Sequence, residues 1–238
     1  MKCILLAAGR GTRISNMIDN VPKCTLDVGG TPLVRRTILM LEELNVEPIV
    51  CVGYRQDVVR ETIEGTSAKV IFNPFYDVTN SIASLWFAQD ELNDDLIVMN
   101  ADVFLEKETF EDMINDRRDV VMAIDKTRIL HGDYFFGLDK NDCIVKYGKE
   151  LTVEERDCEY VGLAKLRKEF LPTFNKKLIE MIDVQKHDCW WEDVLYQLAD
   201  KGVDIHTSDI SKNFWREVDY YDDYEMILEY ISKKSAEG

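Results

Sequence analysis

The sequence predicts an α/β fold, a single domain built on a mostly parallel, twisted sheet with helices on both faces. Two observations carry that prediction. Short apolar runs alternate with amphipathic segments from the second residue onward, as crossover-connected parallel strands require. The first run, Cys3-Ile4-Leu5-Leu6, opens into a glycine-containing loop, Ala7-Ala8-Gly9-Arg10-Gly11-Thr12-Arg13, the place where a buried strand in such a sheet meets its ligand. With 238 residues, 46% of them apolar, the chain is long enough to bury a substantial core.

The elements follow in order. The first strand is expected over residues 2–6. Leu33, Thr37, Met40, Leu41 and Leu44 share one helical face, and residues 48–52 form the next apolar run. A second helix is expected over 58–63 and a third strand over 69–72. Asn80 is placed to cap a third helix carrying Ile82, Leu85, Trp86 and Leu92, before a fourth strand at 96–99. From about residue 119 the pattern loosens: strands at 120–123, 143–145 and 160–162, helices over 168–183 and 191–199, a strand near 203–206 and a last helix over 222–231. No repeat or low-complexity linker divides the chain, so residues 1–118 and 119–238 are expected to be two lobes of one domain.

Charge narrows the partners. The 45 Asp and Glu outnumber the 29 Lys and Arg, for a formal net charge of −16, which repels a polyanion and argues against nucleic acid. A small anion can still bind where cations are gathered locally. The six cysteines, at 3, 24, 51, 143, 158 and 189, form no Cys-x-x-Cys pair and have no histidine at zinc spacing. They read as free thiols of a reducing compartment. Met1-Lys2 leads directly into a strand and no apolar stretch has membrane-spanning length, so a cytoplasmic protein without a membrane partner is expected. His131, His187 and His206 have no partner arrangement for metal or nucleophilic chemistry, and there is no Gly-x-Ser-x-Gly elbow. Covalent catalysis is not expected.

The loop after the first strand carries the chemistry. Leu6, Ala7, Ala8, Gly9, Gly11 and Thr12 let backbone N–H groups approach a phosphate, and Arg13 and Lys23 add fixed positive charge. The loop lacks the Gly-Lys-Ser/Thr ending of a P-loop and the third glycine of a dinucleotide fingerprint. Two cations beside it suit a nucleoside triphosphate and a reaction at phosphorus. Asn100-Ala101-Asp102 follows the apolar run Leu96-Ile97-Val98-Met99, so Asp102 stands at the carboxyl end of a central strand, where it can hold magnesium or simply cap a turn. Asp219 ends a short strand after Trp215, while Asp222 or Asp223 reads as the N-cap of the last helix. Trp190-Trp191-Glu192-Asp193 has two readings: two indoles with carboxylates suit an ammonium group, and the same residues suit an ordinary helix start with an indole packed inward.

Ala7-Ala8-Gly9-Arg10-Gly11-Thr12-Arg13, Pro22-Lys23 and Val28-Gly29-Gly30-Thr31-Pro32-Leu33, taken with Asn100-Ala101-Asp102 and Glu217-Val218-Asp219, resemble the sugar-phosphate nucleotidyltransferase superfamily. Within it the short chain is most similar to the choline-phosphate and small-phosphonate cytidylyltransferases. The resemblance implies a Rossmann-like fold of the nucleotide-diphospho-sugar transferase type. It implies a nucleotide-binding amino-terminal lobe and a carboxy-terminal lobe for the acceptor, with Asp102 and Asp219 as ligands of Mg²⁺. It places Gly53, Tyr54, Asn80, Ser81 and Ser84 near the nucleobase beside Asn100 and Ala101, although Asn80 serves equally well as a helix cap. It places Lys149, Glu159, Tyr160 and Gly162 at the acceptor, where Trp190, Trp191 and Glu192 would join them; Lys149 also fits a surface position.

The implied reaction is in-line attack by an acceptor phosphate or phosphonate oxygen on the α-phosphorus of CTP, with release of pyrophosphate. The acceptor is already anionic near neutral pH, so catalysis reduces to alignment and charge stabilisation by Arg13 and Lys23. Two other readings stand beside it: a sugar 1-phosphate nucleotidyltransferase using UTP or dTTP, and a non-catalytic nucleotide-binding regulatory protein.

Overall fold

The structure, a computed structural model, describes residues 1–11 and 21–237. In chain order its elements are β1 (Lys2–Ala7), α1 (Leu33–Glu43), β2 (Glu47–Val52), α2 (Gln56–Thr62), β3 (Lys69–Phe72), α3 (Ser81–Phe87), β4 (Leu96–Asn100), β5 (Val103–Leu105) and α4 (Lys107–Asn115). The second half adds β6 (Val120–Asp125), β7 (Phe135–Leu138), β8 (Ile144–Gly148), β9 (Cys158–Leu166), α5 (Leu171–Asp183), α6 (Asp193–Ala199), β10 (His206–Asp209), β11 (Trp215–Glu217) and α7 (Tyr221–Glu237).

The main sheet runs β10-β6-β9-β4-β1-β2-β3, with β7 and β8 attached beside β9. β1 pairs parallel with both β2 and β4, β2 with β3, and β6 with β10; β9 runs antiparallel between β4 and β6. The expected α/β architecture is therefore present, with one antiparallel strand joining its halves. Alternate residues of the same strands feed opposite faces, as the twofold repeat of a strand dictates. Ile4, Val98, Met122 and Ala164 pack with Leu85, Phe174 and Leu195 on one side, while Cys3, Leu5, Met99 and Val121 pack with Ile38, Leu41 and Phe110 on the other.

Local chemistry accounts for the helix starts. Leu33, Val34, Thr37, Ile38 and Leu41 form the buried face of α1, which begins directly after Pro32. Asn80 Oδ1 accepts the Ser81 N–H at 2.7 Å as the N-cap of α3. Pro172 lies in the first turn of α5, where its missing N–H leaves no bond unmade.

Several boundaries differ from expectation. α3 ends at Phe87, and Leu92 follows a separate 3-10 turn at Gln89–Glu91. The strand expected near 203–206 is β10, and α7 extends to Glu237. β5, α4 and β7 are not among the expected elements, although Thr109, Phe110 and Met113 give α4 an apolar face; β5 is three residues long and acquires strand character by pairing antiparallel with β11. Among the described residues no helix is long and apolar enough to cross a membrane. All six cysteines are free thiols.

Candidate active site

Because β1, β2 and β4 are parallel, their following loops leave from one edge of the sheet. A cleft opens there, lined by Leu6 and Ala7 at the end of β1 and Ala8, Gly9 and Gly11 after it, and by Asn100 at the end of β4 with Ala101 and Asp102 after it. The Ala101 N–H donates to the Leu6 carbonyl at 3.1 Å and ties the two loops together. Pro22, Lys23 and Cys24 also line the cleft. Gly11 has φ +59°, and a Cβ there would lie 2.7 Å from Lys23 Cγ. Glycine is thus needed for both the backbone turn and the close passage of the lysine stem.

Lys23 opens the 3-10 turn Lys23–Thr25 and is 8% exposed. Its Nζ donates to Asp219 Oδ1 at 2.5 Å and lies 3.7 Å from Asp102 Oδ2. The antiparallel β5–β11 ribbon makes this convergence possible: the Val218 N–H donates to the Asp102 carbonyl at 3.0 Å, so residues from opposite ends of the chain meet at one point. Burial raises the Asp102 carboxyl above the usual carboxylate range; Lys23 opposes that rise and the Asp219 charge reinforces it. Burial, then Asp102 and Asp219, push the Glu217 carboxyl well above its ordinary value. Burial works to lower the Lys23 ammonium, but Asp102, followed by Asp219, outweighs it and holds the pKa above the usual lysine value. Asp102 and Asp219 thus share one ammonium, and each keeps oxygen atoms that a further cation can use.

Thr12 and Arg13 lie outside the described residues. Asn80, Ser81 and Ser84 line the cleft, as do Asn73, Tyr76 and Thr79. Their polar atoms also hold the wall together. Asn80 Nδ2 donates to the Asp188 carbonyl at 3.3 Å, Ser81 Oγ accepts the Trp191 N–H at 2.9 Å, and Ser84 Oγ accepts from Asn73 Nδ2 at 3.0 Å.

Gly53 and Tyr54 stand directly behind the cleft wall, against Ala8 and Tyr76, and do not themselves line the cleft. The Tyr54 N–H donates to the Ala8 carbonyl at 3.0 Å, and a Cβ on Gly53 would stand 2.8 Å from that same oxygen and 2.5 Å from Tyr76 Cβ. The pair braces the first loop, and Tyr76 is the ring that reaches the cleft.

A second pocket adjoins the cleft and shares Asn100, Trp190 and Glu217 with it. Lys149, Tyr160, Gly162, Glu192 and Asp219 line it, together with Asp133, Tyr134 and Tyr196. Lys149 Nζ sits 5.3 Å from the centre of the Trp190 ring. Burial pushes the Glu192 carboxyl up to about 8. A carboxyl raised in the folded state binds its proton more tightly there than in the unfolded chain, so its contribution is full below its ordinary pKa and is lost as pH rises through the folded value. Stability is therefore expected to fall between about pH 4.5 and about 8, and Glu192→Gln to flatten that slope in urea unfolding across the range.

The two adjacent tryptophans separate. Trp190 is 44% exposed and lines both spaces, whereas Trp191 is fully buried in the core with Val194 and Leu195. Trp191 is a packing residue because only one of two consecutive side chains can face a given side of the turn entering α6. Trp191→Ala is expected to destabilise the fold by about 3–5 kcal/mol through the cavity it leaves, measured by urea unfolding.

Glu159 also lies away from the pocket. It is 4% exposed, pairs with Arg128 Nε at 2.8 Å and accepts the Asp133 N–H at 3.0 Å. Arg128 in turn lies 4.4 Å from the Trp215 ring at the start of β11. Glu159 thus holds the Asp133 loop in place instead of lining the second pocket. Tyr76, Asp133, Tyr134 and Tyr196 had no sequence signal marking them, and Glu217 was visible only as a neighbour of Asp219.

The MobA-like NTP transferase domain matches this chain over residues 3–180. Over 234 residues the chain is 25% identical to the choline-phosphate cytidylyltransferase of Haemophilus influenzae, covering 98% of each chain. It is 24% identical over 257 residues to the CTP:phosphoglutamine cytidylyltransferase of Campylobacter jejuni, covering 96% of this chain and all of that one. The solved structure of the CTP:phosphocholine cytidylyltransferase from Streptococcus pneumoniae superposes with a TM-score of 0.81 at 22% identity, covering 97% of this chain and 98% of that one.

Proposed function

From the premise that this chain belongs to the MobA-like NTP transferase family and is an enzyme of the nucleotidyltransferase type, we propose that it transfers CMP from CTP to a small phosphorylated or phosphonate acceptor. The observation that carries this reading is Lys23 Nζ seated between Asp219 and Asp102 where the cleft and the second pocket meet. The nucleotide occupies the cleft and the acceptor the pocket, so α-phosphorus and attacking oxygen meet at that junction. The named relatives in Haemophilus influenzae and Campylobacter jejuni, full-length matches that act on small phosphorylated molecules, support the choice of donor and acceptor class.

The site also suits a divalent cation. Asp102 and Asp219 already converge on one cation, the Lys23 ammonium, and both offer oxygen ligands. Among the described residues no group of three or more His, Cys, Asp or Glu closes around a metal position. Two carboxylates with phosphate and water completing the shell are what Mg²⁺ accepts. When bound, Mg²⁺ would supply charge neutralisation at the α-phosphate.

The chain's own residues do the rest. Backbone groups of the Ala7–Gly11 stretch hold the triphosphate. An acceptor oxygen attacks the α-phosphorus as the bond to the β-phosphate oxygen breaks, and pyrophosphate leaves with that electron pair. Lys23 stabilises the charge that develops on the transferring phosphoryl group; Arg13, two positions after Gly11 in the sequence, would grip the departing pyrophosphate. The acceptor arrives as an anion, so no base is required.

Pyrophosphate release should be measured with CTP, UTP, dTTP, ATP and GTP against pooled phosphorylated metabolites and Mg²⁺, followed by mass analysis of the product. A CMP conjugate formed only with CTP is the expected result. Faster release with UTP or dTTP and a sugar 1-phosphate would overturn the reading.

A further inference from the structure

The connection from β6 to β7, residues 126–134, ends in Asp133 and Tyr134, which both line the second pocket. The Tyr160 N–H donates to the Tyr134 carbonyl at 2.8 Å and Arg156 Nη1 to the Ile129 carbonyl at 3.3 Å, so the segment is tied at its end and in its middle. The stretch that leads into the pocket rests on Glu159 of β9. That carboxylate accepts the Asp133 N–H at 3.0 Å and pairs with Arg128 Nε at 2.8 Å. Gly132 passes so close over it that a Cβ there would stand 2.5 Å from the carboxyl carbon.

Arg128 reaches further. Its guanidinium carbon lies 4.4 Å from the centre of the Trp215 ring, and Trp215 Nε1 donates to Asp125 Oδ2 at 2.8 Å. Trp215 opens β11, the strand that runs on to Glu217 and then to Asp219, the partner of Lys23. One guanidinium and one carboxylate therefore join the Asp133 wall of the pocket to the strand that delivers Asp219.

We propose that Arg128 and Glu159 are positioning residues for the acceptor: neither lines the second pocket, and their ion pair is a latch that holds the loop so that Asp133 keeps its place in the wall. The proposal rests on the cytidylyltransferase reading, which puts the acceptor in that pocket. Protonating Glu159 removes the charge that Arg128 answers and opens the latch. Burial pushes the Glu159 carboxyl up to about 7 against the pull of Arg128; Asp125 on β6 and Asp133 on the loop add to the rise, and Arg216 on β11 is the other cation that feels this charge. The latch is therefore closed above about pH 7, and acceptor KM is expected to rise as pH falls through that value. Stability moves the other way. A carboxyl raised in the folded state contributes fully below its ordinary value and loses that contribution as pH rises through about 7, so weaker acceptor binding at low pH does not follow from loss of the fold.

The test uses the purified full chain with saturating CTP and Mg²⁺, and with phosphocholine, 2-aminoethylphosphonate or glucose 1-phosphate, whichever gives a CMP conjugate fastest. Arg128→Met and Glu159→Gln are each expected to raise acceptor KM by about tenfold at about pH 8, the size of a hydrogen bond to a charged group, while kcat changes by less than about threefold. The double variant should be little worse than either single one, because the two residues act as a unit. Between about pH 8 and about pH 6 the wild-type KM should rise by more than the acceptor's own phosphate ionisation accounts for, and Glu159→Gln should lack that extra rise. Hydrogen exchange, read without acceptor, should quicken across residues 126–134 in both variants and stay unchanged in β1 and β4. An unchanged acceptor KM in both variants, or a rise matched by faster exchange throughout the sheet, overturns the inference and leaves the cytidylyltransferase reading intact. A wild-type chain that yields no CMP conjugate with these acceptors or with the pooled metabolites overturns both.

Discussion

Replacing Lys23 by alanine is expected to lower single-turnover CMP transfer by about 10²–10³-fold, the range seen when one preorganised donor to a developing charge is removed. CTP affinity, measured by calorimetry, is expected to change far less, because in the proposed mechanism backbone groups of the first loop hold the triphosphate and the lysine acts where charge accumulates. The effect is large because Lys23 is 8% exposed and bonded to Asp219 at 2.5 Å, so its charge is fixed in place before substrate arrives. Lys23→Arg is not expected to rescue the loss. The Lys23 ammonium is a compact point charge held 2.5 Å from Asp219 and 3.7 Å from Asp102, a position that a planar, forked guanidinium does not reproduce. A near-normal rate in the alanine variant would remove Lys23 from the mechanism.

Asp102→Asn and Asp219→Asn are each expected to lower turnover by about 10²-fold or more, and to raise the Mg²⁺ concentration needed for half-maximal rate. The double variant should be little worse than either single one, since residues that act as a unit lose their joint function at the first break. Folding should survive in the single variants, because each relieves the mutual repulsion that helps hold Asp102 above its ordinary pKa. Pyrophosphate release across an Mg²⁺ titration, with circular dichroism as the folding control, checks this. An unchanged Mg²⁺ dependence in both variants would contradict the assignment of these carboxylates to the cation.

Much of this site was readable along the chain because its parts are written in consecutive residues. The Leu6–Gly11 stretch follows directly from a buried strand, and Asn100-Ala101-Asp102 from another; both lie at the cleft. Trp190 and Trp191, by contrast, are chemically identical neighbours, and their roles diverge because one faces the pocket and the other the core. Glu159 belongs to a strand segment beside Tyr160 and Gly162, yet its carboxylate turns to Arg128 because adjacent strand residues point to opposite faces. Gly53 and Tyr54 occupy a loop at the correct sheet edge but act on the Ala8 backbone.

Local order along the chain was sufficient for the α/β class, the phosphate-approaching loop and the candidate cations and carboxylates, since periodicity, glycine placement and strand ends are properties of neighbouring residues. Folding alone established that Lys23 lies between Asp219 and Asp102, that β9 reverses direction inside the sheet, and that Tyr134 and Tyr196 of the second pocket stack on each other. Those outcomes depend on register and packing between distant segments, whose energies are summed over the whole core and leave no mark in any short stretch of sequence.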